Sequence, residues 1–219
     1  EICACLVGSE MCIRDRSHIL QYNYQDRLII NMGYSYHYNS IGGAIINNTI
    51  ASNSYSIRFN FESAGNIMYA LSKATNIRKN NDGEYAILGI PYAQYVKGEF
   101  DFSKNIRIDH RNSFAFHIGM GIAVPYGNAK TIPFEKQYFS GGANSVRGWT
   151  VRDLGPGSFV RDENTNLLDQ SGDIKLDASI EYRSKLFWKF QGAIFVDAGN
   201  IWTIRDYDNQ PGGVFKFCL

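Results

Sequence analysis

Strict alternation of apolar and polar positions runs through most of this chain. From Leu28 to Tyr38 the even positions are apolar or aromatic, and the odd positions are mostly small or polar. Because successive side chains of a strand point to opposite faces, alternation of this length predicts strands and not helices. The same two-residue period defines the other predicted strands, at residues 54–63, 92–103, 113–124, 173–183 and 189–199. The pattern therefore predicts an all-β fold with about six antiparallel strands.

A soluble β-sandwich and a membrane barrel both alternate, so alternation alone does not separate them. The composition of the polar positions does. A soluble sheet shows Lys, Glu and Thr to water, whereas these positions are mostly Gly, Ser, Ala and Asn, which suit a crowded lumen. Aromatic residues lie near the strand ends of the apolar face, as interfacial girdles do. They are Tyr36, Tyr38, Tyr55, Tyr92, Tyr182 and Trp188. A transmembrane antiparallel β-barrel is therefore favoured over a sandwich.

Six strands are too few to close a barrel, since about eight is the practical minimum, and open strand edges in lipid are prohibitive. We therefore interpret residues 17–219 as a partial barrel domain, truncated at both ends. Short connections at 104–112 and 184–189 are typical of periplasmic turns, and the long ones at 65–91 and 125–172 are typical of surface loops. The connection over 39–53 is too long for this scheme, so it is either a long periplasmic turn or a sign that a strand boundary is misplaced.

Composition narrows the function classes. Hydrophobic residues make up 44% of the chain and aromatic residues 14%, which is enough to present a large apolar surface. The formal net charge of +1 leaves no basic footprint for nucleic acid, so nucleic-acid binding is set aside. No run reaches the roughly 18 apolar residues of a membrane helix, but a barrel strand needs only about 9–11 residues.

The cysteines lie only near the two ends of the chain. They are Cys3, Cys5, Cys12 and Cys218. A metal or redox site at Cys3 and Cys5 is one interpretation, but no second Cys or His cluster completes four ligands. Residues 1–16 match no signal-peptide pattern and are similar to translated adapter sequence. We therefore expect residues 1–16 to be a non-native segment.

Catalysis is not supported by any constellation of residues. His37 and His117 fall on polar faces, but the chain has no Gly-x-Ser-x-Gly elbow and no carboxylate pair at a fixed spacing. The run GMG over 119–121 lacks the third glycine and the helix of a dinucleotide site. A lone histidine of this kind is more often a hydrogen-bonded lumen residue. We expect no enzyme activity, no metal and no cofactor.

One glycine-rich segment sets a single arginine between two alternating runs. It reads YFSGGANSVRGW over residues 138–149, and it is followed by LGPG over 154–157 and FVDAGN over 195–200. These three segments, in this order, resemble the outer-membrane assembly-factor superfamily, the bacterial surface-antigen barrels of the BamA and TamA type. The resemblance covers roughly residues 17–215 and is strongest over 138–202.

The resemblance implies a barrel of sixteen strands in the bacterial cell outer membrane, of which this chain supplies about six, roughly the eighth to the thirteenth. It implies a protein that assists the insertion or secretion of other proteins. Its partners would be outer-membrane lipid, client outer-membrane or secreted proteins, and accessory lipoproteins or an inner-membrane partner. The alternative is a passive pore, or a two-partner-secretion-type transporter of the same superfamily without assembly activity.

The arginine loop of that family folds back into the barrel lumen. The candidate lumenal loop motif is Val146, Arg147, Gly148 and Trp149, preceded by the loop glycines Gly141 and Gly142. From spacing alone a solvated arginine on a surface loop is favoured, and the resemblance reverses this preference. Parity places Asp197 and Glu181 on the inward faces of the next two strands, and both match family positions that receive the loop arginine. A guanidinium suits carboxylates because it presents a planar fork of donors.

Three details of the resemblance concern backbone and packing. The loop glycines and Gly148 are expected to permit conformations and close approaches that a Cβ forbids. Trp149 stands where the family has an aromatic residue, usually Phe or Tyr, so only the packing around it is in question. The segment 62–66 resembles a family segment at a strand end, and a simple turn made by Gly65 and Asn66 is an equally open interpretation.

Overall fold

The computed structural model describes residues 27–40, 53–75, 77, 79–80, 83–87, 89–159, 170–206 and 210–216. Residues 1–16 and most of the connection over 39–53 lie outside the described residues, so the predictions made for them stay predictions. The elements are β1 (Asn31–Asn39), β2 (Asn53–Ala64), α1 (Asn66–Ala74), β3 (Ala86–Ile87), β4 (Ile90–Pro91), β5 (Tyr95–Arg107), β6 (Asn112–Pro125), β7 (Ile174–Lys185) and β8 (Gln191–Trp202).

The six long strands form one antiparallel sheet in the order β1-β2-β5-β6-β7-β8. Their registers keep residues of like character side by side, since Phe59 pairs with Tyr36 on one side and with Phe100 on the other. Each strand overlaps its predicted range, with ends that differ by only a few residues. The predicted all-β antiparallel fold is therefore confirmed.

The two faces of the sheet differ as the alternation predicts. Between Ile118 and Val124 the even positions are apolar and exposed, whereas the odd positions are buried glycine or alanine. We call the apolar side the outer face and the opposite side the inner face. Other exposed apolar residues of the outer face are Met32, Tyr34, Phe59, Phe61, Leu176, Ile180, Ile194 and Val196. A sheet with apolar residues outside and small or polar residues inside is the arrangement of a membrane barrel wall.

The buried core lies between the inner face and the long connection that joins β6 to β7. One cluster joins Ala123 of β6 and Ile201 of β8 to Ile132 and Tyr138 of the connection. A second, smaller cluster contains Ala64, Ala93 and Tyr95. The described parts of the connection over 126–173 therefore pack on the sheet, and we call this connection the inner loop.

The connection over 65–91 contains more structure than the sequence interpretation assigned to it. It forms α1 and the short hairpin of β3 and β4. The helix forms because the run NIMYALSKA is rich in residues that favour helix. Tyr92 is also not a girdle residue: it lies before β5 and is almost completely buried. No helix among the described residues is long and apolar enough to span a membrane.

The connections sort to the two ends of the sheet. The turns between β5 and β6 and between β7 and β8 lie at one end, and both are short. The connections over 65–94 and 126–173 lie at the other end. This follows from the antiparallel order, and it matches the predicted division into short turns and long loops except at the connection between β1 and β2, which is long although it joins these strands at the end of the short turns.

Candidate functional site

The arginine of the inner loop lies at the tip of a tight turn. The backbone N–H of Trp149 donates to the carbonyl of Val146 over 3.2 Å, and the N–H of Gly142 donates to the carbonyl of Trp149 over 2.9 Å. Val146 is buried and packs where Gly199 of β8 has no side chain. The turn therefore rests on the inner face, which directs Arg147 toward β7 and β8.

Arg147 makes a bidentate contact with Asp197 of β8. Its Nε lies 2.7 Å from Asp197 Oδ2, and its Nη2 lies 2.7 Å from Asp197 Oδ1. The backbone N–H of Arg147 also donates to Oδ2 over 3.1 Å. The third guanidinium nitrogen, Nη1, lies 2.7 Å from Oε2 of Glu181 on β7. The structure thus brings together the arginine and both acids that the sequence pointed to.

The surroundings of this contact keep the guanidinium charged and oriented. The Asp197 side chain is only 4% exposed, compared with 26% for Arg147. The hydrogen bonds from Asp197, and then those from Glu181, raise the pKa of Arg147 above its usual value. Phe195 stacks under the guanidinium, with Cζ 3.7 Å from the ring centroid. On its other oxygen Glu181 accepts a hydrogen bond from the more exposed Arg183 over 2.7 Å.

Two of the three predicted glycines are required by the backbone. Gly141 and Gly142 have φ of 101° and 87°, a region that L side chains rarely adopt. A Cβ at Gly141 would clash with the carbonyl oxygen of Thr150, and one at Gly142 would lie 2.7 Å from Val151 Cγ2. Gly148 does not fit the expectation, because a Cβ there would meet no described atom within 4 Å.

Glycines of the sheet make room for the inner loop. A Cβ at Gly121 would lie 2.6 Å from Cζ of Tyr138, and a Cβ at Gly199 would lie 3.0 Å from Cγ2 of Val146. Tyr138 uses this space to reach across β6 and donate its hydroxyl to the carbonyl of Gly98 over 3.2 Å. The loop therefore packs directly against the small residues of the inner face.

A second ion pair holds the first half of the inner loop. Lys136 Nζ lies 2.7 Å from Oε1 of Glu62 on β2. The same oxygen accepts hydrogen bonds from the Tyr95 hydroxyl and from the Asn31 amide, each over 2.6 Å. Lys97 of β5 donates to the carbonyl of Lys136 over 3.2 Å. This contact lies on β2 and β5, whereas the Arg147 contact lies on β7 and β8.

The sequence interpretation missed Lys136 and saw only part of the role of Glu62. Glu62 begins the segment 62–66 that resembles a family segment, but no spacing in the sequence points to a lysine 74 residues away. Gly65 and Asn66 do form the turn into α1, with Gly65 at φ 78°. Both interpretations of this segment therefore hold: a turn at its end, and a specific contact at its start.

His117 lies in a charged cluster of the inner face. Its Nε2 lies 3.6 Å from Asp101 Oδ1, its Nδ1 lies 3.6 Å from Asp177 Oδ2, and Lys175 Nζ lies 3.4 Å from Asp177 Oδ1. These pairs place His117 among charged side chains of the inner face. In the described part of the chain no group of three or more His, Cys, Asp or Glu side chains is arranged to hold a metal ion.

Asp173 joins the end of the inner loop to β7. Its side chain is almost fully buried and accepts a hydrogen bond from the backbone N–H of Ile204 over 3.1 Å. Its other oxygen, Oδ1, has no hydrogen-bond partner among the described residues. Burial raises the pKa of Asp173 to about 6. The charged form of this carboxylate is therefore disfavoured in the folded state.

Comparison with known proteins gives one family and two relatives. The Omp85 superfamily domain matches residues 21–216. The outer membrane protein assembly factor BamA of Neisseria meningitidis serogroup B is 35% identical over 100 residues, which are 42% of this chain and 12% of that protein. BamA of Haemophilus ducreyi lacking POTRA domains 1–3 matches with a TM-score of 0.40 and 17% identity, over 80% of this chain and 42% of that structure. This chain thus spans only a small part of the Neisseria relative.

The Lys136 contact predicts that charge reversal releases the first half of the inner loop. Ser140 is a fully buried residue of the inner loop, so Ser140→Cys in an otherwise cysteine-free full-length protein reports loop release through its labelling by a membrane-impermeant maleimide. We expect Lys136→Glu to accelerate labelling about tenfold, which corresponds to about 1.4 kcal/mol of lost docking energy. Adding Glu62→Lys should restore most of the protection.

Lys130→Glu is the matched control, because Lys130 is an exposed lysine of the same loop. It should leave the labelling rate unchanged. The Lys136 contact is irrelevant to loop docking if Lys136→Glu labels no faster than this control, or if Glu62→Lys fails to restore protection.

Asp173 predicts a pH dependence of stability. Because its pKa is raised from 3.8 to about 6 on folding, its favourable contribution is complete below about pH 3.8 and is lost as the pH rises through about 6. Asp173→Asn should therefore raise the free energy of unfolding at pH 7 by on the order of 2 kcal/mol and leave it unchanged at pH 3.5. Urea unfolding of the full-length protein measures both values. Exposed Asp206→Asn is the control, and parallel pH profiles for Asp173→Asn and the native protein would contradict this assignment.

Proposed function

The chain belongs to the Omp85 superfamily, and we propose that it is the part of an outer-membrane assembly factor whose inner loop holds the barrel ready to assist client proteins. The six strands are part of a transmembrane antiparallel β-barrel of the bacterial outer membrane. Members of this family are barrels of the assembly and translocation type. The finer proposal is that the complete protein accelerates the insertion of unfolded outer-membrane proteins, as the name of its Neisseria relative states for that protein.

The docked inner loop is the observation that supports this proposal over a passive pore. The loop crosses the inner face from Glu62 on β2 to Asp197 on β8. A pore for small solutes depends on an open aqueous lumen, and a loop fixed by ion pairs at Lys136 and at Arg147 obstructs this part of the lumen. The proposed role of Arg147, Asp197 and Glu181 is to keep the loop in that position.

The relatives support a role in assembly and not in catalysis. The Neisseria relative is named as an assembly factor and not as an enzyme. We propose that client outer-membrane or secreted proteins and outer-membrane lipid are the partners of the complete protein, together with accessory lipoproteins or an inner-membrane partner.

Assisted folding in vesicles tests the proposal. The full-length protein is reconstituted into phosphatidylcholine vesicles, a urea-unfolded eight-stranded outer-membrane barrel is added, and its folding is followed by the gel shift of the unheated sample. We expect folding about tenfold faster than in empty vesicles, equivalent to about 1.4 kcal/mol off the barrier. Vesicles that leak small ions without any acceleration of folding would instead identify a passive pore. Vesicles that contain an unrelated closed barrel of similar size are the control for disturbed lipid.

A further inference from the structure

The turn between β7 and β8 has a composition unlike that of a water-exposed turn. Its residues are mostly large and apolar, and all are exposed: Leu186, Phe187, Trp188 and Phe190. Phe187 is 70% exposed and Trp188 is 87% exposed. Apolar side chains of this size gain free energy when they leave water. We call these four residues the hairpin tip. A surface that shields them from water would stabilise them.

The hairpin tip is continuous with the outer face of the sheet. A Cβ at Gly192 would lie 3.4 Å from Cδ1 of Leu186, and Gly192 shares its side of β8 with Ile194 and Val196, which are 74% and 70% exposed. Phe190 has the same parity, and its ring centroid lies 5.2 Å from that of Phe187. The lipid-facing surface of β8 thus extends around the turn without a polar break.

The length of β8 places the hairpin tip at a membrane boundary. Trp202 has the same parity as Phe190 and pairs in register with Ile174, which itself pairs with the exposed Ile122. The stretch from Phe190 to Trp202 spans about 40 Å along the strand, or roughly 30 Å along the membrane normal at the usual tilt of a barrel strand. This height is close to the thickness of the hydrocarbon layer, so when one aromatic end lies at one interface the other lies at the opposite interface.

The charges of the tip fit lipid headgroups. Lys185 and Lys189 flank the apolar residues, with no acidic side chain between them. Lys189 Nζ lies 5.9 Å from the Trp188 ring centroid. A long cationic side chain beside an aromatic ring is the usual arrangement at a headgroup layer, where the stem stays in the apolar region and the charge reaches phosphate.

The turn between β5 and β6, at the same end of the sheet, has a different composition. Between β5 and β6 the chain turns through Asp109, His110 and Arg111, and Asp109 Oδ1 accepts a hydrogen bond from the backbone N–H of His110 over 2.6 Å. These charged residues suit water. The apolar tip of the β7–β8 turn is therefore not a general feature of this end of the barrel.

We propose that the hairpin tip is a membrane anchor, with Phe187 and Trp188 inserted into the phospholipid headgroup layer. This layer is on the side of the membrane opposite the strand ends that the inner loop joins. The tip tethers the part of the barrel wall formed by β7 and β8, the two strands that also hold Arg147. The partner that the tip contacts is lipid. The anchor does not depend on which client proteins the complete protein serves.

Fluorescence quenching in the full-length protein tests the anchor. Trp188 is kept as the sole tryptophan by replacing the others with phenylalanine, and the protein is refolded into phosphatidylcholine vesicles with brominated acyl chains. We expect loss of most of the Trp188 emission in brominated vesicles, with the loss greatest for bromines near the headgroup. Aqueous iodide should quench it only weakly. The matched control adds His110→Trp to a Trp188→Phe background, and its emission should be quenched by iodide and not by brominated lipid.

Each alternative outcome overturns the proposal. Strong iodide quenching of Trp188, with emission typical of water and no effect of bromine, means that the tip stands in solvent. Protection from both quenchers means that a protein surface covers the tip, such as another domain of the same chain. A native gel shift of the unheated sample verifies that each variant is folded before it is measured.

Discussion

The ion pair between Arg147 and Asp197 is the interaction on which the rest of the inner loop depends. Asp197 is nearly buried on a crowded inner face, where a charge without a partner costs several kcal/mol. Arg147 compensates that charge with two parallel hydrogen bonds, a geometry that lysine does not reproduce. Because Arg147 belongs to the loop and Asp197 to the wall, compensating the charge and docking the loop are the same event.

Other features of the chain allow the loop to dock. Gly121 and Gly199 leave space under the loop for Tyr138 and Val146, which explains why the inner face is built from small residues. Lys136 holds an earlier part of the loop on β2. The loop supplies the core that the inner face otherwise lacks, while the outer face is left apolar for lipid. The inner face and the loop therefore stabilise each other.

Much of this arrangement was predictable from the sequence, for physical reasons that can be named. The two-residue period reports strand faces directly, so the six strands and the inward parity of Asp197 and Glu181 followed from the residues, whereas their pairing with Arg147 came from the family resemblance. The Lys136 contact was not predictable, since it joins residues far apart in sequence and no local pattern marks it. The helix α1 was missed because its segment was interpreted only by its length as a loop. Gly148 was over-interpreted, because a glycine in a motif does not always mark a strained backbone.

A double-mutant cycle on Arg147 and Asp197 tests the central claim most directly. The free energy of unfolding of the full-length protein in vesicles is measured for the native protein, Arg147→Ala, Asp197→Asn and the double variant, with Arg147→Lys as the conservative change. Arg183→Ala is the matched control, because Arg183 contacts Glu181 from a more exposed position. Docking through this pair predicts a coupling energy of about 1–3 kcal/mol, only partial rescue by Arg147→Lys and little effect of Arg183→Ala. A coupling energy near zero would show that Arg147 does not hold the loop through Asp197, and the account of the inner loop would fail.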